Sequence, residues 1–207
     1  RHVTGVQTCA LPISHTGNFS ACVALKCETD FVAKNADFIA LTQSILDVAM
    51  AQKPADLESL LTLQINGASI ASLITDRSGI TGEKMELGFY EFVKGEATVS
   101  YIHPGNKLAT IVAFNQASVD LKAARDIAMQ VAAMSPISLN RESVPANIVA
   151  TELEIGRDKA RQEGKPEAML DKIAQGRLNK FYQESILLEQ AFIKDAKITV
   201  QQYLQQQ

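Results

Sequence analysis

Cys27-Glu28-Thr29-Asp30-Phe31-Val32-Ala33-Lys34-Asn35 marks the point where an apolar strand pattern stops and a long helical pattern begins. Upstream, Phe19 to Cys27 is short and nearly continuously apolar, as a buried strand is. Downstream, Phe38, Leu41, Ile45 and Val48 recur at three- and four-residue spacing, which predicts a helix from Phe31 to about Gln52. That helix ends where Lys53 precedes Pro54, because a residue before proline resists the helical region. The junction thus sets an acid and a large aromatic at a strand-to-helix corner. On residue physics two readings stay open there: Thr29 or Asp30 caps the helix while Phe31 enters the core, or the pair faces outward as a contact site.

The pattern returns 88 residues later, where His15-Thr16-Gly17-Asn18 is echoed by His103-Pro104-Gly105-Asn106. Each is a turn signal followed by an apolar strand, Phe19 to Cys27 in one case and Leu108 to Asn115 in the other. A helix from Leu121 to Ala133 follows the second strand and closes on Ser135-Pro136. A strand from Thr98 to Ile102 makes Thr98 to Asn115 a hairpin, and Met85 to Val93 is a further strand after helical patches at Asp56 to Leu63 and Ser69 to Thr75. The fold class is therefore α+β, with a duplicated core of two small units, 15–94 and 95–207, each an antiparallel sheet packed on helices. The corner equivalent to Asp30-Phe31 reads Gln116-Ala117-Ser118-Val119, which holds neither acid nor aromatic.

Two charged, helix-favouring runs, Ala146 to Glu163 and Glu167 to Phe181, are joined by Gly164-Lys165-Pro166. So short a link favours antiparallel neighbours, so 146–181 is expected to be a projecting, coiled-coil-like helical hairpin. Its seam is expected at Ile148, Leu153, Ile155, Met169, Leu170, Ile173 and Leu178. Residues 1–14 have neither the charged start nor the apolar core of a signal peptide and fit no periodic template. They resemble a translated sequencing adapter and are expected to be a non-native leader outside the fold. On that expectation the first strand of one sheet and the last strand of the other are missing.

Composition narrows the function classes. With 207 residues, 46% of them hydrophobic, the chain can bury a substantial core. A net charge of −3 with no run of lysine or arginine argues against a nucleic-acid partner read through phosphates. No stretch of about 18 apolar residues is present to span a membrane. The cysteines, at 9, 22 and 27, have no metal-ligand spacing and read as buried, inert thiols rather than a disulfide or a metal site. His15 and His103 precede turn glycines, where a structural role is expected, and no phosphate loop, nucleophile elbow or zinc-protease helix occurs. Neither a cofactor nor enzymatic chemistry is implied.

Glu28-Thr29-Asp30-Phe31-Val32-Ala33-Lys34 resembles the signature of the bacterial elongation factor Ts family, the nucleotide-exchange factors of elongation factor Tu. Ile127 to Ala133, Gly164-Lys165-Pro166, Gly176-Arg177-Leu178-Asn179-Lys180-Phe181 and Gln190-Ala191-Phe192-Ile193 follow in the order that family shows, so the resemblance covers about His15 to Leu204. It implies a cytoplasmic protein whose Asp30 and Phe31, flanked by Thr29 and Val32, wedge beside the partner's magnesium and phosphate site and loosen GDP. It further implies supporting contacts from Gln130 and Met134, with glutamine standing at 130 where many relatives carry histidine. The hairpin is expected to touch a second domain of the partner or another copy of the chain. The family's small N-terminal helical domain and its C-terminal strand have no counterpart here, so the chain is expected to be a piece that exchanges nucleotide poorly, if at all, whereas its full-length parent is expected to do so. Two other classes compete: a dimerising or structural module without exchange activity, and a small enzyme using Cys27, His103 and Glu28.

Overall fold

The computed structural model describes residues 8–104 and 108–207. Residues 1–7 of the expected leader, His2 among them, and Gly105-Asn106 of the second turn lie outside the described residues. The architecture is mixed α and β, with small antiparallel sheets and helices, and divides into two units, Arg1–Ala128 and Met129–Gln207.

In the first unit the chain runs β1 (Thr8–Ala10), β2 (Ile13–Thr16), β3 (Phe19–Cys27), α1 (Asp30–Ala33), α2 (Ala36–Gln52), α3 (Leu57–Thr62), β4 (Gln64–Ile65), β5 (Ala68–Ser69), α4 (Ile70–Thr81), β6 (Glu86–Lys94), β7 (Ala97–Ile102) and β8 (Ala109–Phe114). It then enters α5 (Leu121–Met134), which continues into the second unit. Strand β3 is the centre of the sheet. Along one edge β2 pairs with its first half and β1 with its second, and β6 pairs along the other edge from Phe19↔Lys94 to Lys26↔Glu86.

Why β3 carries so few polar residues follows from its position. Phe19, Ala21, Val23, Leu25 and Cys27 point into a core shared with Phe38, Ile45 and Leu46 of α2, Leu60 of α3 and Ile70 of α4. Successive strand residues face opposite sides, yet Ser20, Cys22 and Ala24 are buried too. Strand β3 also packs against β7 and β8. A strand covered on both faces has no reason to alternate.

Three sequence expectations change here. Residues 8–14, excluded from the fold as a leader, supply β1 and half of β2, so the edge of β3 expected to be bare is paired. The helix expected from Phe31 to Gln52 is broken in two, because Asn35 adopts an extended conformation and its side chain accepts from the amides of Asp37 (2.9 Å) and Phe38 (3.2 Å). That bond set restarts the helix and turns α1 into a separate single turn. The boundary expected at 94/95 falls at 128/129, since the β7–β8 hairpin is tied to the β2–β3 turn. Gly95 N–H donates to Asn18 O (3.1 Å), Thr98 N–H to Gly17 O (2.7 Å), and His15 Nδ1 pairs with Ser100 Oγ (3.0 Å).

The second unit comprises the end of α5, a 3-10 turn at Arg141–Ser143, α6 (Ala146–Gln162), α7 (Leu170–Ser185), β9 (Ala191–Phe192), β10 (Asp195–Thr199) and α8 (Val200–Gln205). Helices α6 and α7 pack antiparallel, as their pairings require: Gly156 lies against Ala174, Arg157 bonds Asp171 (2.7 Å) and Arg161 bonds Glu167 (3.1 Å). Of the expected seam residues, Leu170 and Leu178 are buried and others are not. Ile155 and Met169 are exposed, and the closest approach is made by Gly156, Ala160 and Ala174, all buried. Larger residues gather at the base, where Val144, Leu178, Tyr182 and Ile186 form a core with Leu153 packed against it.

A Cβ at position 156 would sit 2.9 Å from the Ala174 Cα, a backbone atom that cannot swing aside. Gly156→Ala is therefore expected to cost about 1–3 kcal/mol despite alanine's better helix propensity. Urea unfolding checks this, and a gain in stability would show that the two helices part freely.

Arg141 grips Glu189 through Nε (2.5 Å) and Nη2 (2.7 Å) and stacks its guanidinium 4.6 Å from the Tyr182 ring centre. These hydrogen bonds hold the Glu189 carboxyl below its ordinary value of 4.5. A carboxyl depressed on folding stabilises above its unfolded pKa and loses that contribution as pH falls through its folded pKa. Heat unfolding from pH 7 down to pH 3 should show Glu189→Gln losing less stability than the parent below about pH 4.5. Parallel curves would mean that the pair contributes nothing.

Candidate functional site

The corner after β3 is built from two separate stretches of chain. Strand β3 ends at Cys27, and the amides of Glu28 and Thr29 then have no strand partner. Both donate to Glu83 Oε2, at 3.1 and 3.0 Å, and the Thr29 hydroxyl donates to Glu83 Oε1. Thr29 is also the N-cap of α1, its Oγ1 accepting from Val32 N–H at 3.4 Å. The Cys27 thiol donates to Thr29 O (3.4 Å).

Glu83 reaches this place because α4 ends abruptly. Gly82 has φ of 72°, a left-handed conformation suited to glycine, and its N–H caps Ser78 O at 2.9 Å. Ser78 Oγ then donates to Glu83 O (2.6 Å), and Glu83 N–H donates to Thr81 Oγ1 (3.3 Å). On the same side an Arg77–Asp37 pair at 3.1 Å links α4 to the start of α2.

On this braced corner the expected site residues part company. Phe31 is 89% exposed and Asp30 is exposed beside it, so the pair faces outward and the core reading of Phe31 does not hold. The capping half of that other reading does hold, with Thr29 as the cap. Val32, expected among the contact residues, packs against the first unit's core instead. It anchors the turn whose other side displays Phe31. Helix α1 buries no residue fully and is a single turn, so its direction is set by the brace and by Val32 rather than by helix formation.

In the second unit Met134 is partly exposed, but Gln130 is fully buried. Gln130 Nε2 donates to Gln190 Oε1 (3.2 Å) and to Ala191 O (3.1 Å), and its Oε1 accepts from Ile193 N–H (2.8 Å). With both ends of the amide engaged, Gln130 is an internal fastener, which corrects its expected role as a direct contact.

Residues that the sequence reading passed over also stand out. Ile80, three positions before Glu83, is 75% exposed. The corner before α5, read at 116–119 as having neither acid nor aromatic, is followed directly by an acid and a leucine. Asp120 caps α5, its Oδ1 accepting from Ala123 N–H (2.8 Å), and Leu121 is 83% exposed. No glycine or proline adjoins Asp120-Leu121, and an apolar residue next to a charge is too common to single out.

Little here supports nucleophilic chemistry. Burial, followed by the charge of Glu83, pushes the Cys27 thiol up to about 11, and burial does the same to Cys22. Both stay protonated at neutral pH and are poor nucleophiles. His103 Nδ1 pairs with the Tyr101 hydroxyl at 3.1 Å. Among the described residues no group of three or more His, Cys, Asp or Glu side chains could hold a metal ion, and no helix is long and apolar enough to cross a membrane.

A family model described as Elongation factor TS matches residues 28–207. A protein of Porphyromonas gingivalis named Elongation factor Ts is 58% identical over 199 residues, which is 96% of this chain and 72% of that protein. One of Azobacteroides pseudotrichonymphae with the same name is 54% identical, over 97% of this chain and 73% of its own length. One of Amoebophilus asiaticus, again so named, is 46% identical, over 93% and 70%.

Proposed function

The chain belongs to the elongation factor Ts family, and from that premise we propose that it is a cytoplasmic guanine nucleotide exchange factor for elongation factor Tu in translation elongation, performing no covalent chemistry itself. The observation that carries the site-level reading is Phe31, a large aromatic 89% exposed on a corner held by three hydrogen bonds to Glu83. Keeping such a ring in water forgoes about 1.5–3 kcal/mol of burial, which is recovered when a partner covers it. In this reading Phe31 enters between elements of elongation factor Tu next to its magnesium and phosphate site. Asp30, negative and adjacent, competes for the polar groups that hold the ion and the phosphates. GDP then leaves because the protein conformation it requires is no longer the most stable one.

Such an effect is a coupling between two ligands of one partner and is reciprocal: whatever factor the chain takes from GDP affinity, GDP takes from affinity for the chain. Each tenfold corresponds to about 1.4 kcal/mol. Met134 on α5 is the supporting contact in this scheme. The two antiparallel hairpins, 13–27 and 97–114, each followed by a capped helix, support reading the core as a duplication. Helices α6 and α7, with Ile155 and Met169 exposed, form the arm that meets a second domain of the partner or another copy of this chain.

The test is the release of a fluorescent GDP analogue from elongation factor Tu, timed with and without the chain in the presence of excess unlabelled GDP. Release that accelerates with chain concentration and saturates is expected. Complex formation without any acceleration would establish the competing reading, an interaction module with no exchange activity.

A further inference from the structure

We propose, resting on the exchange reading, that Glu83 is the positioning residue of the Asp30–Phe31 wedge, acting through the backbone of Glu28 and Thr29 without touching the partner. Its carboxylate collects three donors from one corner: the Glu28 amide (3.1 Å), the Thr29 amide (3.0 Å) and the Thr29 hydroxyl. Both amides lie beyond the end of β3, and Glu83 is the acceptor that satisfies them. The hydroxyl bond does more. By drawing the Thr29 proton toward Glu83 Oε1, the carboxylate leaves the oxygen's lone pairs free for Val32 N–H, so the same residue that braces the corner also orients the cap of α1. Phe31, 89% exposed, has almost nothing of its own to hold it, and its direction is that of the backbone beneath it.

Glu83 is fixed in turn by Ser78 Oγ on its carbonyl, Thr81 Oγ1 on its amide and the left-handed Gly82 before it. An acceptor brought from 54 positions away in the chain, held on both sides and satisfying three donors, is suited to keeping a short exposed turn in one orientation. Pre-organisation of this kind lowers the ordering cost when the wedge meets its partner.

Glu83→Ala removes the acceptor, and Glu83→Gln replaces one acceptor oxygen by an NH₂ group facing donors. In both variants amide hydrogen exchange at Glu28 and Thr29 is expected to speed up while β3 and α2 stay as protected as in the parent. The maximal GDP-release rate from elongation factor Tu is expected to fall about tenfold with Glu83→Ala and less with Glu83→Gln, with little change in the half-saturating concentration. On a Phe31→Ala background Glu83→Ala should cost far less than in the parent, because only Asp30 is left to position. Additive losses, parental exchange at full rate, or unchanged protection at Glu28 and Thr29 would each overturn the proposal. Should Glu83→Ala fail to fold, Glu83→Gln carries the same three readouts. An inactive parent would sink the exchange reading alone, since protection at Glu28 and Thr29 is measured without the partner.

Discussion

Phe31→Ala is expected to lower the acceleration of GDP release from elongation factor Tu by about 10- to 100-fold while leaving the chain folded. The size follows from burial, because covering a phenylalanine that was in water contributes about 1.5–3 kcal/mol and each 1.4 kcal/mol is a factor of ten. Tolerance of the fold follows from the same exposure. The ring is 89% exposed and outside the first unit's core, so its removal opens no cavity, and heat unfolding should shift by no more than about 1–2 °C. Because the loss is assigned to a state in which GDP is displaced, it should appear in the rate at saturating chain more than in the half-saturating concentration. Asp30→Asn makes a second arm, removing charge but not shape, and should cost less than the loss of the ring. Stopped-flow release of a fluorescent GDP analogue measures all of these, and full acceleration by Phe31→Ala would end the wedge reading.

Much of the frame around that residue is written locally. Strand β3 runs from Phe19 to Cys27 as its apolar run predicts, and the 98–115 hairpin and the two helices flanking Gly164-Lys165-Pro166 also follow from patterns within a few residues. What depends on distant chain was not legible. Phe31 reads as a buried aromatic by composition, and only the family resemblance turns it outward. Nothing near Thr29 in sequence announces Glu83. The break at Asn35 had a local signal, an asparagine two residues before Asp37, but a helical pattern on both sides masked it. The small residues of the seam between α6 and α7 were missed for another reason: a search for large apolar residues overlooks Gly156, Ala160 and Ala174, whose small size is what permits the close approach.

Gln130 had a signal too. Ala123, Ile127 and Gln130 lie four and three residues apart on one face of α5, and all three are buried, so the helix period alone points the glutamine inward. Its replacement is expected to be the most damaging single change in the second unit. Gln130→Met keeps the volume roughly but strands the Ile193 amide, the Ala191 carbonyl and the Gln190 side-chain oxygen, each of which now meets a partner at 2.8–3.2 Å. An unmade bond to a buried polar group costs about 1–3 kcal/mol, and the Ile193 and Ala191 backbone groups are only part-buried, so the loss should be about 2–3 kcal/mol in urea unfolding. Gln190 extends the network, its Nε2 donating to Met134 O (3.3 Å) and Glu184 O (2.9 Å), and a double-mutant cycle between Gln130→Met and Gln190→Met should give a coupling of about 0.5–3 kcal/mol. A loss below about 1 kcal/mol would mean that the stranded groups find other partners at once. With the loss as expected, Gln130 still bears on function by an indirect route. Through Gln190 it holds the backbone of Met134, so the exposed contact on α5 is placed by a residue that no partner can reach.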